Sequence, residues 1–233
     1  MKPTKTVHVD DSITAGDNCL PTNSVRSAPR KRDPQRTQQA ILDAATAEFS
    51  EHGVGGARIE RVAERAGLNK RLLYYYFGNK EELYLAVLER TYADIRAAER
   101  ALHLDELDPM EAIRQLVSFT WHYYLSHPEF ISLLNTENLH EASHLKRSTR
   151  VKTVNSPLVE MIDEVIQRGQ RAGVFRSAVD PVQLYISIAA LTYFYISNAH
   201  TLSQMFDRDL RTPKALTARL SHVTEFVLGY LLV

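Results

Sequence analysis

The chain predicts an all-α protein: an N-terminal three-helix unit that carries a helix-turn-helix, followed by a larger C-terminal helical unit. Apolar residues recur at helical spacing from Pro34 onward, and the Val/Ile/Thr-rich stretches keep that spacing instead of alternating. Five prolines, Pro109, Pro128, Pro157, Pro181 and Pro213, fall where helices would begin. The first turn tolerates a missing N–H because those groups have no intrahelical partner. Eight or nine helices are expected, and no strand.

Residues 1–33 are polar, rich in Ser, Thr, Asp and Pro, and lack an apolar period, as a disordered tail would. The tail ends in Arg30-Lys31-Arg32, a solvated basic run within reach of phosphates. Ile41, Leu42, Ala45 and Phe49 mark a first helix of about 18 residues, stopped by the turn Gly53-Val54-Gly55-Gly56. A second helix runs from Arg58 to Ala66 with Ile59, Val62 and Ala63 inward, and Gly67 suits a left-handed C′ position. Asn69 is an N-cap for a third helix, Lys70 to Phe77. Gly78-Asn79 breaks the chain again before a long helix from Lys80 to about Leu102. Further helices are expected near 109–126, 128–138, 156–172, 180–200 and 212–232, with Gly173-Val174-Phe175 as a turn. Residues 142–155 carry no clear pattern.

Composition narrows the function. Hydrophobic residues make up 44% and charged residues 24% of 233, enough for a small unit and a larger one. Nine glycines and nine prolines exclude fibrous and low-complexity repeats. Cys19 is the single cysteine, so no intramolecular disulfide can form and a reducing compartment fits. Residues 1–29 lack the apolar core of a secretory signal, and the longest nearly apolar run, Leu184 to Ile196, is too short for a bilayer. The expectation is a cytoplasmic protein with no membrane partner. Net charge is zero but unevenly spread: residues 30–80 carry ten Lys/Arg against six acids, and residues 81–233 carry 15 against 19. Such asymmetry fits a polyanion-binding module joined to an acidic partner unit.

The pair 58–66 and 70–77, joined by Gly67-Leu68-Asn69, has helix-turn-helix dimensions over 58–77. The second helix is short enough to enter a major groove N-terminus first, which brings Lys70 and Arg71 to base edges or phosphates. Tyr74 and Tyr75 follow one turn later, with a hydroxyl for phosphate or a ring for a thymine methyl. One of Tyr74, Tyr75 and Tyr76 is expected to pack inward, Tyr76 foremost. Lys80 begins the next helix and can pin the DNA backbone.

Ala40-Ile41-Leu42-Asp43-Ala44-Ala45, Phe49, Gly53, Ile59 to Gly67, Leu73 to Phe77 and Asn79-Lys80-Glu81-Glu82-Leu83 together resemble the TetR family of transcriptional regulators, in order and without gaps from Arg36 to Ile95. The resemblance implies a DNA-binding domain over 34–95 and an effector-binding and dimerisation domain over 96–233. It also implies a homodimer built on the last two helices, and a repressor that needs no cofactor and leaves a palindromic operator when a small molecule binds. Arg36, Arg58 and Asn69 join Lys70, Arg71, Tyr74, Tyr75 and Lys80 as the expected DNA contacts. The family often has a small residue or Thr where Arg71 and Leu72 stand, and Thr where Arg58 stands, so operator contacts are expected to differ. Glu137-Asn138-Leu139-His140 with Ala142 and Leu145 is similar to a pyrimidine-responsive, RutR-like subgroup, which implies a pyrimidine or related metabolite as effector.

An effector pocket between helices mixes apolar walls with a few polar groups. Trp121, His122, Tyr124, Glu137, Asn138, Tyr193, Ser197 and Asn198 supply such groups, and buried Tyr and Trp seek partners for their polar atoms. The stripes Leu184, Ile188, Leu191, Tyr195 and Leu216, Leu220, Val223, Val227, Tyr230 read as a dimer contact or as the subunit's own core. The expected coupling element is the helix from Lys80.

One motif points elsewhere. His140-Glu141-Ala142-Ser143-His144 matches H-E-x-x-H, in which two histidines on one helix face bind zinc and the glutamate activates water; Glu160 or Glu164 would be the third ligand. The competing reading is therefore a zinc-dependent hydrolase using His140, Glu141 and His144. No other nucleophile or metal cluster stands out.

Overall fold

A computed structural model describes residues 33–233, in which ten α-helices and two short 3-10 turns follow one another. The expected tail, with Cys19 and Arg30-Lys31-Arg32, lies outside the described residues except for Asp33. The helices are α1 (Pro34–Gly56), α2 (Ile59–Ala66), α3 (Lys70–Phe77), α4 (Lys80–Arg100), α5 (Pro109–Ser126), α6 (Pro128–Leu139), α7 (Thr149–Arg171), α8 (Pro181–Ser197), α9 (Ala199–Met205) and α10 (Pro213–Leu231). Among the described residues the extended pairing is a single bridge, Phe175 to Leu232.

Most boundaries follow from local chemistry. In α1 the backbone leaves the helix at Gly53, whose φ of 63° and ψ of 175° suit a residue without a Cβ. Asp108, Asp180 and Thr212 accept N–H bonds at the starts of α5, α8 and α10, ahead of Pro109, Pro181 and Pro213. Pro157 departs from this rule. It lies inside α7, which begins at Thr149 because the Ser148 hydroxyl accepts from the Val151 N–H at 3.2 Å. Pro157 and Thr153 are both exposed, so the carbonyl that the proline leaves unpaired is open to water. The helix expected over 180–200 also splits. Asn198 takes φ −110° and ψ 9°, its side chain bonding to the Phe194 carbonyl at 2.9 Å, and α9 starts beyond it.

Three apolar clusters hold the described residues together. The first packs Ile41, Phe49, Val62, Leu73, Tyr84 and Val87 with Leu133 of α6. The second packs Leu116, Val117, Ile162, Val165, Ile188 and Val227 from α5, α7, α8 and α10. The third, Ile95, Tyr123, Tyr124, Phe130 and Ile131, joins α4, α5 and α6. At about 1.5–3 kcal/mol for each fully buried large side chain, these clusters dominate the stability.

The stripes on α8 and α10 divide between the two readings, with Tyr230 on the exposed side. Leu184, Ile188, Tyr195, Val223 and Val227 are buried within this chain, so they build its own core. What stays exposed is a second apolar row, Val182, Ile186 and Phe194 on α8 with Phe226 and Tyr230 on α10. Spacings of four, seven and eight residues put each row on one helix face.

Candidate functional site

The helix-turn-helix is closed by two side-chain-independent hydrogen bonds. Leu68 N–H donates to the Ala63 carbonyl at 2.9 Å and Gly67 N–H to the Glu64 carbonyl at 3.0 Å, with Gly67 left-handed at φ 63°, ψ 33°. This paired ending stops α2 and aims the chain at α3. Asn69 Oδ1 then accepts the Arg71 N–H at 2.9 Å and starts α3.

Within α3 the one buried residue is Leu73, at 2% exposure, in the same cluster as Ile41, Phe49 and Val62. Everything cationic or hydroxyl-bearing at its front faces out: Lys70 and Arg71 are exposed, Tyr74 is 46% and Tyr75 79% exposed. Tyr76 packs against the cluster, as expected of one tyrosine in the three. Lys70 Nζ lies 3.3 Å from Glu60 Oε1, both side chains more than half exposed. Such a pair is weak and screened by water, so a phosphate can compete for the ammonium. Arg36 is exposed on α1, Arg58 is exposed at the start of α2, and half-buried Lys80 starts α4 next to the cap Asn79, whose Oδ1 accepts from Glu82 N–H at 2.8 Å.

A residue that the sequence reading passed over braces this unit. Glu48, fully buried on α1, accepts the Arg58 N–H at 2.9 Å and Arg61 Nε at 2.7 Å, and Arg65 Nε lies 3.6 Å away. Burial pushes its pKa up, but the bonds from Arg61 and Arg58 outweigh that, and the carboxyl stays below its usual 4.5. Its signal was position: it shares the inward face with Ile41, Ala44 and Ala45.

Between α4, α5, α6, α7 and α8 lies a cavity of about 350 Å³, lined by Tyr92, Arg96, Tyr124, Phe130, Leu134, Leu158 and Tyr185 among others. Arg96 is 3% exposed; its Nη1 donates to Glu99 Oε2 and its Nη2 to the Tyr185 hydroxyl, each at 2.6 Å. Of the eight residues expected at an effector site, Tyr124 lines this cavity. Trp121 is buried against Tyr195, ring centroids 5.7 Å apart. His122 and Asn138 are exposed and bonded to their own helices, at Ser118 O and Leu134 O. Tyr193 bonds Asn135, and Asn198 bonds Ser197 at the end of α8. The eight do not converge.

Glu137 serves a different purpose. Buried on α6, it accepts the N–H groups of His144 and Leu145 at 2.9 Å each and meets His144 Nδ1 at 3.0 Å. The His144 ring lies 4.8 Å from that of Tyr84, which lies 5.0 Å from Phe49. Aromatic contacts thus connect the loop after α6 to the core under α3.

The same loop removes the zinc-hydrolase reading. α6 ends at Leu139, and Glu141 and Ala142 have φ of 54° and 56°, so His140 and His144 do not share a helix face. His144 instead faces Glu137. No group of three or more His, Cys, Asp or Glu among the described residues is placed to hold a metal ion, and none of their helices is long and apolar enough to cross a membrane.

A braced helix-turn-helix with an outward cationic helix, beneath a helical bundle with a largely apolar cavity that holds one buried arginine, defines a one-component DNA-binding regulator. Comparison with known proteins gives the family. Residues 41–87 match the bacterial regulatory proteins of the tetR family, and residues 109–227 match the tetracyclin repressor-like C-terminal domain. The chain is 40% identical over 203 residues to the transcriptional repressor NicS of Pseudomonas putida, covering 87% of this chain and 96% of that one. It is 30% identical over 203 residues to the regulator RutR of Escherichia coli K12, covering 85% and 92%. Among solved structures, the regulator SCO4942 from Streptomyces coelicolor aligns with a TM-score of 0.63 at 25% identity, over 84% of this chain and 98% of that one. This chain belongs to the TetR family of transcriptional regulators; it is a DNA-binding regulator and not an enzyme.

Proposed function

We propose that the chain works in the cytoplasm as a homodimeric repressor that grips a palindromic operator with α3 of each subunit and releases it when a small molecule fills the central cavity. The observation that carries this reading is the exposure of Arg71, Tyr74 and Tyr75 on a helix anchored by Leu73. Arg71 and Lys70 meet bases or phosphates, Tyr74 and Tyr75 phosphates and thymine methyls, while Arg36, Arg58, Asn69 and Lys80 flank the groove. DNA-binding residues fall within 34–95 and the effector and dimer residues, Tyr92 excepted, within 96–233, with α4 crossing between them.

The exposed row on α8 and α10 supports a two-fold contact between subunits. Two-fold symmetry sets the recognition helices about 34–36 Å apart, one DNA turn. For the effector, the cavity residues Tyr92, Arg96 and Tyr185 join Tyr124 as the ligand-facing set. Similarity to RutR makes pyrimidines the first metabolites to test, although the identity to NicS is higher.

The test is selection of bound genomic fragments at physiological salt, followed by release of the recovered DNA with a metabolite panel. A palindromic site lost in Arg71→Ala is the expected result. Absence of binding above non-specific background overturns the reading.

A further inference from the structure

We propose that the central cavity takes a small organic carboxylate, anchored on Arg96. The proposal rests on the reading of this cavity as the effector site and adds the chemistry of what fills it. Arg96 is the one charged side chain among the described residues that line the cavity. Its two terminal nitrogens are engaged by Glu99 and Tyr185, but its Nε is buried with no partner among the described residues. In a guanidinium the Nε and one terminal nitrogen point their hydrogens the same way, and a carboxylate accepts both in parallel. A buried donor left unmet costs free energy, and a ligand oxygen meets it.

The charge balance leads to the same ligand class. Glu99 is 1% exposed and has one oxygen, Oε1, without a partner among the described residues. Burial pushes this carboxyl upward against the pull of Arg96, which weakens its compensation of the guanidinium. The remaining wall suits an apolar body: Phe130, Leu134 and Leu158 on one hand, the hydrogen-bonded hydroxyls of Tyr124 and Tyr185 on the other. The volume of about 350 Å³ lies at the small end of ligand sites.

The experiment titrates the full chain by calorimetry with matched acid and amide pairs: benzoate and benzamide, phenylacetate and phenylacetamide, hexanoate and hexanamide. At least one acid is expected to bind tenfold or more tightly than its amide. Removing Arg96 alone would strand Glu99, so the variant is the double Arg96→Gln, Glu99→Gln, checked by circular dichroism; it is expected to erase the preference. The proposal is overturned if no acid outbinds its amide, if nothing in the panel binds, or if the preference survives in the double variant. Ala189→Trp separates the two claims by filling the cavity. Binding that persists in Ala189→Trp removes the cavity as the site altogether, whereas amide-favouring binding abolished by it removes the anion and keeps the site.

Discussion

A Cβ on Gly169 would overlap the ring carbons of Phe175, so α7 and the turn after it meet at a spot where only glycine fits. Phe175 also carries the one extended bridge among the described residues, to Leu232, which seats the residue after α10 against the turn that follows α7. Gly169→Ala is therefore expected to destabilise despite the better helix propensity of alanine, by about 1–3 kcal/mol for an overpacked core. In a chain of this length that lowers the melting midpoint by roughly 2–12 °C. A thermal melt followed by circular dichroism checks it, and an unchanged midpoint would show that the ring simply steps aside.

Glu48 gives the acid sensitivity of the DNA-binding unit. Its folded pKa lies below the ordinary 4.5, so its stabilisation is complete above that value and fades as pH falls through the folded pKa. Glu48→Gln removes two charge-assisted bonds and is expected to cost about 2 kcal/mol at pH 7. The gap between wild type and variant should close as pH drops below 4.5. Urea unfolding between pH 3 and 7 measures it.

On α3, Arg71→Ala is expected to lower operator affinity by about 1–3 kcal/mol, the worth of a good base contact. Tyr75→Ala should cost less and leave the fold intact, because its side chain is 79% exposed. Electrophoretic mobility shifts with the selected site, alongside unchanged melts, test both. Equal affinities for wild type and Arg71→Ala would move recognition off this helix.

Glu60 is expected to compete with DNA for Lys70, whose ammonium it meets at 3.3 Å. Glu60→Gln frees the ammonium at the front of α3, and non-specific DNA affinity should rise with a salt slope steeper by about one, the effect of one added phosphate contact. Fluorescence anisotropy on random-sequence duplex from 50 to 300 mM salt reads the slope.

Phe194→Asp and Phe226→Asp each place a charge in the exposed apolar row of α8 and α10. Loss of a central aromatic anchor costs about 2 kcal/mol or more at a subunit contact. Monomers are expected in light scattering, with the helical signal kept. A dimer untouched by both would put the contact on another face.

The sequence made the short-range features legible because they depend on neighbours. Gly67 and Asn69 had to be where they are for α2 to stop and α3 to start, and the bounds of α3 agree to the residue. Pro157 misled because a proline marks a helix start only when no stronger cap lies upstream, and Ser148 supplies one. The cavity was opaque for a geometric reason. Periodicity tells which face turns inward but not which inward residues meet a void, and Arg96 and Tyr185 are 89 positions apart. Trp121 and Glu137 carried the right chemistry for a ligand site, yet the protein's own groups already occupy them.

Lys80 and Arg96 sit on one uninterrupted helix, α4. At 1.5 Å per residue they are about 24 Å apart along its axis. That makes α4 a lever: a tilt of about 5° at the Arg96 end swings the far end by roughly 2 Å over that length. In a two-fold assembly each arm moves and the errors add, while the pitch of the double helix stays fixed. A guest too small to rearrange the bundle could thus throw both reading heads out of step at once.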